Sequence, residues 1–346
     1  MTAGGRRRAA AALTFVAWSG LAAAGDLPGK AAPATIFLSG HSLLDRPIPD
    51  DLAALLAAAG DPVAWDRHYL AGSSIRDRSS GTGIDREGRP VDPGRDVFAG
   101  REAPYDTLIV TEQHDLVAAL LWNDSVAELR RLHDRFAARN PEGVTYFYVP
   151  WMAIDDKDDP RGWIAYERAA APYWRCIAAA ASDRIVPLPA ASALAELIAA
   201  AIDGPGLPGL TRATARETVD LLVADDVHPT RLGSYYMALV VYAAITGRSP
   251  AGAWAPDAVP PAQARALQDF LARRRPESDA GPPDLDACAA ALRAGGLDDL
   301  RAYMERAHWR KERGFLAARW TRLRQSASWQ LLLWRRPDWN PFRPAS

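Results

Sequence analysis

The chain has 346 residues, of which 49% are hydrophobic and 24% charged. That is enough apolar material for one large domain or a domain with an appendage. The formal net charge is -1, and no zinc-finger, RNP or helix-turn-helix pattern accompanies it, which excludes a general nucleic-acid binder.

Residues 1–24 read as an export signal. Arg6, Arg7 and Arg8 form a basic start, residues 9–21 are apolar but short for a bilayer, and Ala22-Ala23-Ala24 offers small residues for cleavage before Gly25. An uncleaved N-terminal anchor is the competing reading. On the signal reading the protein is exported, periplasmic or secreted.

Beyond the signal, short apolar runs alternate with helical patterns. Thr35–Leu38 predicts a buried strand, and Asp50–Ala59 a helix with acids in its first turn and Gly60 at its end. Pro62–Trp65 predicts a weaker strand. Residues 76–104 are rich in Gly, Asp, Arg and Pro without periodicity, and fit either a substrate-side lid or a disordered surface loop. Thr107–Thr111 is a β-branched strand framed by polar residues. Then come a helix over Ser125–Asn140 with Ser125 as its cap, a strand at Val144–Val149, and a helix over Trp163–Ala181 with Pro172 as the place for a kink or a break. A strand at Ile185–Leu188 follows, then helices over Ala190–Ile202 and Arg231–Thr246, the last closed by Gly247. This alternation predicts an α/β fold: a flavodoxin-like, three-layer α/β/α domain over residues 33–250 with a five-stranded parallel sheet. Reactive groups in such sheets sit at the carboxyl ends of the strands.

Residues 251–284 read as a linker around one short helix, Ala262–Arg274. Residues 285–346 predict a helical C-terminal extension. From Arg306 to Arg336 it carries eight Arg, one Lys and a single acid, Glu312. Trp309, Leu316, Trp320 and Leu323 recur at helical spacing, with Arg310, Arg313 and Arg324 for the other side. The favoured expectation is an appendage that packs this stripe on the main domain and leaves its arginines solvated. The alternative is a basic helix lying on an anionic membrane or an acidic polymer. Cys176 and Cys288 either form one disulfide or are two separately buried thiols.

The chemistry resides in two segments. Ser39-Gly40-His41-Ser42-Leu43 follows the first strand, and Asp225-Asp226-Val227-His228-Pro229 closes a second apolar run, Leu221-Leu222-Val223, expected to end as a strand. Together they supply a hydroxyl, an imidazole and a carboxylate, the groups of a Ser–His–Asp nucleophile. The Gly-x-Ser-x-Gly elbow of α/β-hydrolases is absent. Gly-x-Ser-Leu after a first strand, with Asp-x-x-His-Pro near the domain's end, resembles the SGNH hydrolases, the GDSL esterase/lipase family, over residues 33–250. The resemblance implies Ser42 as nucleophile, His228 as general base and Asp225 as the carboxylate that orients it. A spacing of three independently lets one loop present both Asp225 and His228. Asp226 is the competing carboxylate.

The family's second block is matched by Ala71-Gly72-Ser73-Ser74, which implies that the Gly72 N–H joins that of Ser42 in an oxyanion hole. The third block departs from the family: Thr111-Glu112-Gln113-His114-Asp115 lacks the usual Asn. Gln113 carries the same amide and is the expected substitute, with Asn123 a lesser one. Glu112 is expected to bind a sugar hydroxyl or to position His114. His41 stands where the family's commonest version has Asp, and is expected to shape the pocket. Trp122 and Trp151 follow strand ends and are the candidate platforms for a sugar ring; Trp65, Tyr69, Tyr148 and Trp163 are expected in the packing. His68, His114, His133 and His308 show no ligand spacing, and Asp155–Asp159 lacks the register and closing Glu of a calcium loop. No cofactor or metal is expected.

These features imply an exported serine esterase acting on an acyl, such as acetyl, ester of a carbohydrate or small molecule. An O-acyltransferase acting on a polysaccharide would use the same triad. The altered third block keeps open a non-catalytic polysaccharide- or surface-binding protein of the same fold.

Overall fold

The computed structural model describes residues 32–92, 97–98, 103–274 and 282–343. The export signal read at residues 1–24 lies outside the described residues. No helix among them is long and apolar enough to cross a membrane.

The chain opens with β1 (Thr35–Gly40), α1 (Ile48–Ala58) and β2 (Ala64–Tyr69). An insertion follows: α2 (Ile75–Ser80) and two short strands, β3 (Gly83–Ile84) and β4 (Pro90–Val91). The domain continues through β5 (Thr107–Thr111), α3 (Leu116–Leu121), α4 (Ser125–Arg139), β6 (Val144–Tyr148), α5 (Arg161–Ala181) and β7 (Ile185–Leu188). It closes with α6 (Ala190–Ile202), α7 (Ala215–Asp220) and α8 (Arg231–Thr246). The α5 helix runs through Pro172 as one element, without a break there.

The sheet has seven strands in the order β4-β3-β2-β1-β5-β6-β7. The fold is α/β as expected, but the sheet is not five-stranded. Five strands are parallel and take the doubly wound order; β3 and β4 extend the β2 edge antiparallel. These additions pair over one or two residues, too short to leave any alternation in the sequence. Of residues 76–104, residues 76–80 thus belong to α2 and residues 83–91 cover the sheet edge; residues 93–96 and 99–102 lie outside the described residues. From β1 the chain steps one way to β2 and later the other way along β5, β6 and β7. Right-handed crossovers therefore place α1 on one face and α4 and α5 on the other. The central strands β1 and β5 are apolar on both faces, and Ile36, Phe37, Leu38, Leu108, Ile109 and Val110 are all buried.

The short helix expected after α8 is present, and the described residues around it, 251–274, pack on the domain; residues 275–281 lie outside the described residues. In α9 (Pro261–Ala272), Gln268 Nε2 donates to Tyr235 Oη and to the Ala253 carbonyl, both at 2.8 Å. The extension comprises α10 (Leu285–Ala291), α11 (Leu297–Met304), α12 (Arg310–Arg313) and α13 (Phe315–Arg335). A disulfide between Cys176 in α5 and Cys288 in α10 ties it to the domain, with Cα atoms 6.5 Å apart. This resolves the two readings of the cysteines.

The expected packing of the Trp stripe holds only for Trp309, which is buried. Leu316, Trp320 and Leu323 face solvent. The helix docks instead through Ala318 and Trp329 on its other side, because two apolar faces compete for one contact surface.

Candidate active site

Ser42 begins a short 3₁₀ turn directly after β1, at the carboxyl edge of the sheet. Its hydroxyl donates to His228 Nε2 at 2.9 Å. His228 Nδ1–H in turn donates to Asp225 Oδ2 at 2.7 Å. An acceptor on Nδ1 fixes the tautomer that leaves Nε2 free to receive the serine proton. Asp225 Oδ1 accepts the backbone N–H groups of His228 at 2.7 Å and of Val227 at 2.8 Å. Burial works against the charge on Asp225, but these donors and the imidazole outweigh it and hold the carboxyl at about 2. The carboxylate is therefore ionised throughout the neutral range.

Asp225 and His228 do not come from a strand end. Leu222 and Val223 are buried, yet they turn after α7 without joining the sheet. A single antiparallel bridge, Val223 to Pro229, closes the loop, helped by Ala224 N–H on the His228 carbonyl at 2.8 Å. The loop then enters α8 through Thr230, whose hydroxyl accepts from Gly233 N–H and donates to the Leu221 carbonyl at 2.6 Å. A Cβ at Gly233 would collide with the Leu222 carbonyl oxygen, so glycine is what lets α8 start this close to the loop.

Two neighbours brace the same loop. Trp151 is fully buried and its Nε1–H donates to the Val227 carbonyl at 2.8 Å. Ile154 N–H donates to the Asp226 carbonyl at 2.7 Å. Trp151, expected as a sugar platform, is thus a prop beneath the His228 loop, since its ring has no face left for a ligand. Asp226, the competing carboxylate, points elsewhere: Oδ2 takes Lys311 Nζ at 2.6 Å from α12.

Beneath Ser42 lies a buried arginine that sequence reasoning missed. Arg78 of α2 donates to Ser39 Oγ at 3.0 Å, to the Ser73 carbonyl and hydroxyl at 2.9 Å, and to the Thr111 carbonyl. It therefore pins the ends of β1 and β5 to the loop after β2. Burial brings its pKa down to about 10, with Glu112 and Asp77 opposing, so it stays cationic at neutrality. The one sequence cue for α2 is Ser74-Ile75-Arg76-Asp77, whose ends form a capping box.

Glu112 belongs to this girder rather than to a substrate site. It is fully buried, and its Oε1 accepts Gln113 N–H at 2.7 Å and Ile75 N–H at 3.2 Å. Burial raises its pKa despite Arg78. No sugar hydroxyl reaches a carboxyl so placed. His41 is likewise a strut: its Nε2 donates to the Glu112 carbonyl at 2.9 Å and its Nδ1 accepts Leu43 N–H. Burial, then the Arg78 charge, holds His41 down at about 3, so the ring is neutral.

Gly72 lies in the loop after β2, beside β1, with a left-handed φ of 62°. No acceptor among the described residues takes the backbone N–H of Ser42 or of Gly72. The Gln113 amide is oriented by Asp115 N–H, which donates to its Oε1 at 2.9 Å; the amide NH₂ is thereby left as a donor. Ser42, Gly72 and Gln113 thus stand on the loops after three adjacent strands, β1, β2 and β5. Trp122 ends α3 and is 54% exposed. Trp65, Tyr148 and Trp163 are buried in the packing.

An open depression of about 360 Å³ lies beside the triad, lined by Ser42, Asp45, Arg46, Pro47, His228, Pro229, Thr230, Arg231 and Ser234. Arg231 is held there by both oxygens of buried Asp51, at 2.5 and 2.7 Å. Among the described residues no cluster of His, Cys, Asp or Glu is arranged to hold a metal.

No protein-family model and no curated protein matches the chain. Solved structures do show partial likeness. A DUF4886 family protein from Bacteroides uniformis is 14% identical, with a TM-score of 0.49 over 69% of this chain and 93% of that one. A carbohydrate esterase family 2 enzyme with a carbohydrate-binding domain, from Corynascus thermopiles (Myceliophthora fergusii), is 12% identical, with a TM-score of 0.38 over 63% of this chain and 68% of that one.

Proposed function

We propose that the chain is a serine esterase that cleaves a small acyl ester through Ser42, His228 and Asp225. The observation that carries this reading is the unbroken line from Ser42 Oγ to His228 Nε2 and from His228 Nδ1 to Asp225, at 2.9 and 2.7 Å. A side-chain relay of this geometry, open to solvent at the carboxyl edge of a doubly wound sheet, is the arrangement acyl transfer needs.

In the first half-reaction Ser42 Oγ attacks the ester carbonyl while Nε2 of His228 takes its proton. Asp225 stays ionised and stabilises the imidazolium. The oxygen that gains negative charge is met by the N–H groups of Ser42 and Gly72 and by the Gln113 amide, each such donor contributing about 3 kcal/mol to the transition state. Collapse breaks the bond to the alcohol oxygen, which leaves with the proton from His228. Water then attacks the acyl-enzyme with His228 again as base, releasing the acid and restoring Ser42.

The small size of the depression, about 360 Å³, and the presence of Arg46 and Arg231 at its wall suit a short acyl group on a hydrophilic alcohol better than a long hydrocarbon chain. A carbohydrate ester fits this description, although Trp122 alone of the two expected ring platforms is exposed. The disulfide supports an oxidising compartment and hence export.

Release of p-nitrophenol from p-nitrophenyl acetate tests the reading. The wild type should turn over and Ser42→Ala should not, with both proteins equally folded. Equal release by the two proteins would refute it.

A further inference from the structure

The α13 helix exposes an apolar stripe that the domain leaves uncovered. Leu316 is 81% exposed, Trp334 79%, Trp320 68%, Leu323 55% and Leu331 45%. Advancing about 100° per residue, these five and Ala327 fall within roughly 80° of one another around the helix, along about 27 Å of its axis. The opposite side holds Ala318 and Trp329, which dock on the protein. The stripe is therefore additional to the docking face.

Charge decides what fits the stripe. Residues 315–335 contain four arginines and no acid. Arg319 and Arg322 lie close to buried Glu305, at 3.8 and 3.3 Å. Arg324, Arg335 and Arg336 have no partner among the described residues, and Arg324 and Arg335 flank the stripe on one side. A Trp/Leu face edged by uncommitted arginines is the pattern of a helix lying in a lipid interface, apolar side in the acyl boundary and guanidinium groups at the headgroups. At 21 residues with arginines along its length, such a helix suits the surface of a bilayer rather than its interior.

We propose that α13 docks on an anionic lipid surface through Leu316, Trp320, Leu323, Leu331 and Trp334. The α12 contact between Lys311 and Asp226 joins this anchor to the loop that carries His228, so docking holds the catalytic edge close to the membrane. This proposal stands whether or not the site is an esterase.

Flotation of the full chain with phosphatidylcholine vesicles, with and without about 30% phosphatidylglycerol, tests it. The wild type should float with the anionic vesicles and be released by salt. Trp320→Ser/Leu323→Ser/Trp334→Ser should bind at least about tenfold more weakly at unchanged melting temperature. Arg324→Gln/Arg335→Gln/Arg336→Gln should lose most of the preference for anionic over neutral vesicles. Three results would overturn the proposal: no flotation of the wild type; equal flotation of the wild type and the apolar variant, which would put the affinity in residues 9–21 or elsewhere; or a lipid-free dimer by light scattering that the apolar variant converts to monomer, which would make a second copy the occupant.

Discussion

Asp225 and Asp226 are adjacent, and the sequence leaves open which one serves His228. The geometry separates them, and paired substitutions measure the separation. Asp225→Asn keeps the size of the side chain but replaces an acceptor with a donor opposite Nδ1. The imidazole then places its proton on Nε2, where it cannot receive the one from Ser42. Loss of a triad carboxylate in this way costs about 10⁴ in kcat, or ~5.5 kcal/mol. The Asp225 side chain is 56% exposed, so part of its field is screened by water, and a loss of about 10³ to 10⁴ is expected here. Asp226→Asn removes only the Lys311 pair, whose side chains are 41% and 45% exposed; such a pair contributes about 0–1 kcal/mol, and kcat should change by less than about threefold. Initial rates on p-nitrophenyl acetate, with thermal melts as the control for folding, decide it. Retention of more than about a tenth of the activity in Asp225→Asn, with collapse in Asp226→Asn, would refute the assignment. The Asp225 pKa is depressed from 3.8 to about 2. Its stabilisation is thus complete above about pH 4 and lost as pH falls through 2, so protonation of Asp225 explains no loss of activity above pH 4.

Two further predictions concern buried charges. Arg78→Met leaves the Ser73 and Thr111 carbonyls without their donor and Glu112 without the opposing charge; it should lower stability by about 3–5 kcal/mol and reduce kcat at unchanged KM, whereas an unaltered midpoint in urea titration would remove the girder from the account. Glu167 of α5 is fully buried and accepts Met152 N–H at 2.6 Å, and burial raises its pKa from 4.5 to about 8. Its folded form holds a proton that the unfolded chain has released, so stability falls as pH rises from about 4.5 through 8. Glu167→Gln removes that loss and should add several kcal/mol, on the order of 3–5, at pH 8.5 but little at pH 5; equal gains at both would refute the linkage.

The parts legible in the sequence were those that one local pattern determines. Thr107–Thr111 is a β-branched run buried on both faces, and it is β5 without a shift in either boundary. The spacing of Asp225 and His228 places both on one loop because three residues cannot separate them further. Illegible were the features set by contacts distant in sequence. Trp151 and Trp122 read alike in the sequence, yet Trp122 ends α3 while Trp151 follows β6, and only the approach of the His228 loop, 76 residues away in sequence, makes Trp151 a prop. Glu112 is of a type that normally reads as exposed; its carboxyl is instead buried against the Ile75 N–H, with the Arg78 charge nearby, and both of those residues come from a helix in the stretch after β2. The stripe on α13 showed helical spacing, but spacing reports that a face is apolar and not which of two apolar faces the domain covers.

The loop bearing His228 is braced from the sheet by Trp151 and from the extension by Lys311, and the two braces meet. The segment that supplies Trp151 continues to Ala153 and Asp155, whose carbonyl and N–H are held by Tyr303 Oη at 2.7 and 3.2 Å. Arg306 adds an ion pair to Asp155 at 3.0 Å. Tyr303 stacks on Tyr166 of α5 with ring centroids 4.3 Å apart, on the same helix that the disulfide ties to α10. The extension is therefore a second support for the loop that carries His228 and not a detachable tail. Closing a 112-residue separation removes about 5 kcal/mol of unfolded-chain entropy, which helps keep that support in place. The 2.9 Å contact between Ser42 and His228 is thus the joint between two separately supported halves, and of the braces on the His228 side the buried Trp151 hydrogen bond is the one whose loss should disturb it most, since the half-exposed Lys311 pair contributes little.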